Sequence, residues 1–99
     1  MALIEIHLQE GWDGDHVEIL IDGNGWVDQH SVTTDYSLGL AWMERISVQA
    51  GRHQVEVVLP DRELVARLSV DVDDELYLGI VIEGDRISFV TQAEGFSYF

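Results

Sequence analysis

Over most of this chain every second residue is apolar. Ile4, Ile6 and Leu8 alternate with Glu5 and His7, and Val17, Ile19 and Ile21 alternate with Glu18 and Leu20. Val55, Val57 and Leu59 keep the same beat, as do Leu64, Ala66, Leu68 and Val70, then Leu76, Leu78, Ile80 and Ile82, and finally Ile87 and Phe89. Extended backbone sends successive side chains to opposite faces, so the pattern places one set in a core and the other towards water. Turn signals separate the runs: Asp22-Gly23-Asn24-Gly25, Gln49-Ala50-Gly51, Pro60-Asp61, Asp73-Asp74 and Glu83-Gly84-Asp85. Short strands at such spacing predict an all-β fold, an antiparallel β-sandwich of about seven to eight strands, as a single domain over residues 1–99.

Residues 38–48 admit two readings. As a strand, Leu38, Leu40, Trp42, Ile46 and Val48 point inward, and Glu44 joins them. As a short helix capped by Ser37, Leu38, Trp42 and Ile46 share one stripe. Gly39 would cost a helix about 1 kcal/mol, which favours the strand, with Glu44 at a bulge or an edge.

The balance of charge narrows the partners. Nineteen acids face five bases, all arginine, for a net charge of -14. Nucleic acid and anionic membranes are disfavoured, because a phosphate surface attracts the opposite sign. A solvated acidic surface, a basic protein partner (including one that would otherwise hold DNA) and a divalent cation site each account for the acidity. There is no cysteine, so no disulfide, zinc-thiolate site or thiol nucleophile exists. The first residues lack a basic n-region, and the apolar run over residues 76–82 is too short for a membrane helix. A soluble, cytoplasmic chain is expected.

The stretch from Gly11 to Trp26 looks like a calcium loop. An EF-hand needs oxygen ligands at positions one, three and five, glycine at six and glutamate at twelve. Counting from Asp22, the fifth position is Trp26, the sixth Val27 and the twelfth Thr33; counting from Asp13, the fifth is Val17 and the twelfth Asn24. Both registers fail. Asp-Gly and Asn-Gly supply the positive φ values of a hairpin turn instead.

Strand parity points to a less regular cation site. If each strand crosses the domain once, the loops around 9–15, 32–37, 60–63 and 83–85 share one end, which gathers Asp13, Asp15 and Asp35 with Asp61, Glu63, Glu83 and Asp85. Asp13, Asp15 and Asp35 are the candidate ligands for a calcium ion, and Trp12 and Tyr36 beside them could stack on a sugar ring. No other cofactor is expected. Acids are also what turns ordinarily contain.

Other constellations carry less. His7, His16, His30 and His53 fall on different elements without the close spacing of a zinc site, and read as scattered surface residues. The serines lack a nucleophile elbow, and no glycine loop precedes a helix. Trp26, Trp42, Tyr77 and Phe89 fall in apolar-periodic runs and read as core or face-covering residues. The terminal aromatics Phe96, Tyr98 and Phe99 would form an apolar patch if free, so they are expected to pack on the sandwich edge or on a second copy.

The run Ile46-Ser47-Val48-Gln49-Ala50-Gly51-Arg52-His53-Gln54-Val55-Glu56-Val57 resembles the hairpin of immunoglobulin-like and transthyretin-like sandwiches, including PEGA-type bacterial domains. The resemblance covers about a dozen residues. It implies a β-sandwich with Gly51 at the turn and Val55 and Val57 facing the core, in an accessory or binding module without catalytic residues. The expected function is therefore protein interaction or self-assembly, with a protein partner or a homo-oligomer, through a strand edge or the aromatic tail. The alternative is a ligand-binding module for calcium or carbohydrate at the acidic end. Catalysis is not expected in so short a chain without a deep cleft.

Overall fold

The computed structural model describes residues 1–93. Eight strands follow one another among them: β1 (Ala2–Leu8), β2 (Asp15–Ile21), β3 (Asn24–Val32), β4 (Trp42–Val48), β5 (Gly51–Leu59), β6 (Leu64–Val72), β7 (Glu75–Glu83) and β8 (Arg86–Gln92), with one 3-10 turn at Pro60–Arg62. They form two four-stranded sheets, β4-β1-β7-β8 and β3-β2-β5-β6. The aromatic cluster Phe96, Tyr98 and Phe99 lies outside the described residues. No helix among those residues is long and apolar enough to cross a membrane.

Most of the core comes from the set that the alternation marks, although Leu64, Leu68, Leu76, Ile87 and Phe89 are only partly buried and Trp12 joins it from outside the pattern. Ile4, Ile6 and Leu8 of β1 and Leu78, Ile80 and Ile82 of β7 come from one sheet; Val17, Ile19 and Ile21 of β2 and Val55, Val57 and Leu59 of β5 come from the other. Both sheets thus bury one face against each other, the arrangement of a β-sandwich.

Two expectations are corrected. The sandwich is not wholly antiparallel, because β1 pairs with β7 in parallel. Strands that cross the domain in turn alternate direction, so the first and seventh run the same way, and this fold seats them side by side. The strand expected over residues 38–48 begins only at Trp42; before it, Asp35 and Leu40 form an isolated bridge around a turn, and Leu38 is exposed. Within β4, Glu44 does take the inward phase opposite Ile6, where the edge of the sheet leaves it only partly buried.

The outer side of β1 is less open than alternation implies. Glu5 and His7 are both buried. Arg45 and Tyr77 flank Glu5 in the register on either side. Arg45 donates its Nε–H to Glu5 Oε1 at 2.5 Å, and His7 Nε2 lies 2.7 Å from Glu5 Oε2. Burial alone would raise the Glu5 carboxyl, but the hydrogen bonds from His7 and Arg45 outweigh it and hold it below its ordinary range.

At the opposite end to the long loops, Asp22 and Gly23 turn the β2–β3 hairpin with φ of 52° and 83°. Positive φ at both positions is the type I′ geometry that matches strand twist. The Asp22 carboxylate then reaches β5, accepting the Gln54 N–H at 2.9 Å and His53 Nδ1–H at 2.6 Å. The other His53 nitrogen donates to the Gln49 carbonyl at 2.6 Å. Two acceptors, one on each ring nitrogen, require the doubly protonated imidazolium. Hydrogen bonding to Asp22, then to Gln49, raises the His53 pKa above 6.5; the Gln54 N–H, then His53, lowers Asp22 below 3.8.

The sign of the pH dependence follows. The raised His53 contribution is fully present below pH 6.5 and is lost as pH climbs through the folded value. The lowered Asp22 contribution is present above pH 3.8 and is lost as pH falls through its folded value. Urea unfolding should therefore show the chain less stable at pH 8.5 than at pH 6 by about 1 kcal/mol, a figure already discounted for the half-exposed Asp22 side. His53→Gln should flatten that difference. An unchanged slope in the variant would remove His53 as its source.

Candidate functional site

The loops assigned to one end by strand parity do meet there. Trp12 N–H donates to Thr34 Oγ1 at 3.1 Å, Thr34 N–H donates to the Trp12 carbonyl at 2.9 Å, and Ile82 N–H donates to the Glu10 carbonyl at 2.9 Å. Arg62, from the 3-10 turn, reaches in to the Gly11 and Gly84 carbonyls.

Asp15, Asp35, Arg62 and Trp12 are committed to local structure at that end. Asp15 is only 5% exposed and takes both oxygens of its carboxylate to Arg62, at 2.7 and 2.9 Å, while also accepting the Asp13 N–H. The Arg62 guanidinium, hydrogen-bonded to Asp15, has its pKa raised as a result. Asp35 accepts from the hydroxyl and the backbone N–H of Ser37, which together lower its pKa. Trp12 is 1% exposed and donates its indole N–H to the Ile80 carbonyl at 3.2 Å. Trp12 is thus a core plug between the sheets, not the sugar platform that its position in a turn-rich stretch implies. Tyr36, 71% exposed, is left as the open aromatic of the pair.

A different face brings chemistry-bearing residues together. In the β2–β3 hairpin Ile19 pairs Val27, Glu18 pairs Asp28 and Val17 pairs Gln29. One step further, His16 and His30 emerge on the same outer face, against the expectation that the histidines are scattered. Their rings stack with centroids 3.9 Å apart and planes 19° from parallel. His16 Nε2 lies 2.7 Å from Asp28 Oδ1, and His30 Nε2 lies 3.8 Å from the same oxygen.

β3 carries two irregularities, and the first creates this meeting. The turn pairs Ile21 with Asn24 and Leu20 with Gly25, but Ile19 pairs Val27, so Trp26 is an extra residue. A second shift lies between the Val17–Gln29 and Asp15–Val32 pairs, where Ser31 takes a φ of 59°. Such bulges re-aim side chains and leave the extra residue unpaired in the ladder. Trp26 is accordingly 52% exposed, on the outer face rather than in the core.

Beside the histidines lies a groove of 370 Å³, bordered by Leu20, Gly25 and Trp26 and walled by Glu18 and Asp28. Glu18 and Asp28 stand directly opposite in the register, a like-charge pair that disfavours itself. The hairpin face therefore combines an open indole, an apolar floor, two carboxylates and two imidazoles. Against known proteins, the chain matches no family model, no curated protein and no solved structure.

Proposed function

We propose that this chain is a non-catalytic binding module of the transthyretin-like sandwich type, which holds a protein partner by a basic side chain docked in the β2–β3 groove. The strand order supports the type: a constant-type immunoglobulin sandwich keeps its first two strands in one sheet, whereas β1 and β2 here belong to different sheets. The carrying observation is the groove itself, with Trp26 more than half exposed between Glu18 and Asp28 in a chain of net charge -14.

An arginine or lysine fits that chemistry. Its methylene stem covers Leu20 and the indole, while its charge meets the carboxylates and the ring face. Electrostatic attraction to so acidic a surface raises the rate of encounter with a basic segment. Strand addition at β3 is the weaker route, because its two bulges interrupt the ladder that an added strand would continue.

The test is a titration with short arginine-containing and lysine-containing peptides, followed by calorimetry. Basic peptides should bind, glutamate-containing counterparts should not, and affinity should fall as salt is raised. Trp26→Ala should weaken binding at least about tenfold, or ~1.4 kcal/mol. Equal binding by wild type and variant would overturn the groove as the site.

A further inference from the structure

We propose that His16, Asp28 and His30 form a binding site for a divalent transition-metal ion of the zinc class on the outer face of the β2–β3 hairpin. The two imidazole nitrogens and the carboxylate oxygen all lie within 4.8 Å of one another. Zinc bonds to nitrogen and oxygen are about 2.0–2.2 Å long, so tetrahedral donors sit roughly 3.4 Å apart. Closing the set needs a shift of the order of one ångström and a rotation of the His30 ring out of its stack on His16, so that both in-plane lone pairs point at the ion. His30 and Asp28 are exposed and free to make it, while the half-buried His16 anchors the site.

The donor chemistry selects the ion. Imidazole suits zinc, copper and nickel, whereas calcium and magnesium take oxygen ligands throughout. Two imidazoles and one carboxylate supply three ligands, which leaves a position for water or a partner's donor group. The neighbouring Glu18 adds to the pull on a cation. Asp28 faces Glu18 across the strands, and a bound dication relieves that repulsion. The bulge at Ser31 belongs to the same construction, since it lies immediately beside His30 and directly precedes the Asp15–Val32 pair, where β3 has slipped one residue further.

The site is distinct from the peptide groove in its key side chains. Asp28 borders both, but His16 and His30 do not line the groove, and Trp26 is not a ligand.

Calorimetry of the full chain with zinc chloride, in a buffer that does not bind zinc, tests it. One zinc ion per chain is expected, with calcium and magnesium giving no comparable heat at the same concentrations. His16→Ala, His30→Ala and Asp28→Asn should each weaken zinc at least tenfold, and Trp26→Ala should leave it unchanged. His30 is the most exposed of the three, so its variant keeps the test valid even if His16→Ala folds poorly, as circular dichroism would reveal. Zinc bound as tightly by the His16→Ala/His30→Ala double variant would mean a general attraction to surface carboxylates and would overturn the site, as would the absence of binding or an equal preference for calcium.

Discussion

Replacing Trp12 by alanine is expected to remove about 4 kcal/mol of stability, the range for deleting a fully buried aromatic. That is a large part of what a domain of this size possesses. The ring closes the end of the sandwich beneath the loops, and its indole N–H gives the Ile80 carbonyl of β7 a second bond beside that from the Gln9 N–H. The alanine variant loses apolar contact and leaves a cavity, while the Ile80 carbonyl keeps its bond from the Gln9 N–H. Trp12→Phe keeps most of the volume and should cost clearly less. Urea unfolding monitored by far-ultraviolet circular dichroism separates the two. A loss under about 1 kcal/mol for alanine would show that the loop collapses into the space and that Trp12 is not the plug described here.

Gly11→Ala is the second large effect, and its cause is steric. Gly11 has a φ of 91°, a conformation that side chains rarely adopt, and an added Cβ would lie 2.0 Å from the Ile82 carbonyl oxygen. Backbone cannot swing away as a flexible side chain does. The loop is also tied to β7 on that side by the Ile82 N–H bond to Glu10. Separating them breaks this bond and draws Trp12, the next residue, out of register. A loss of roughly 3 kcal/mol is expected from strain and displaced packing together. The same unfolding measurement applies, and a variant as stable as the parent would contradict the close approach.

Much of the fold is legible from alternation because burial is decided residue by residue along each strand. Ile4, Ile6 and Leu8 had to share a face whatever their neighbours, and so did Val55, Val57 and Leu59. The hairpin turn at Asp22-Gly23 is legible for an equally local reason, the φ values it demands. What alternation does not carry is which strands are neighbours, so the parallel β1–β7 pair stays hidden.

The histidine pair shows how a site escapes in one residue of register. Continuing the turn's pairing of Ile21 with Asn24 places His16 opposite Gln29 and His30 opposite Asp15, whose side chain is on the buried side. The bulge at Trp26 slips β3 by one and turns His30 outward to meet His16. A slip of one residue exchanges the two faces of a strand. Trp12 escaped differently. Its neighbours Gly11 and Asp13 mark a turn, and only the stacking of β7 beneath the loop makes that turn a lid for the core.

The seating of β1 between β4 and β7 also governs the order in which the molecule can assemble. The β2–β3 and β5–β6 hairpins join neighbours in sequence, so they close early over short loops. The first strand cannot complete its ladder until residues 75–83 have left the ribosome. Until then Ile4, Ile6 and Leu8 have no closed sandwich to enter, and closure must bring together distant parts of the chain. Topologies of that kind mature over milliseconds to seconds. During synthesis this chain is thus a pair of ready ribbons waiting for a late keystone, with its oldest greasy segment the one longest in need of shelter.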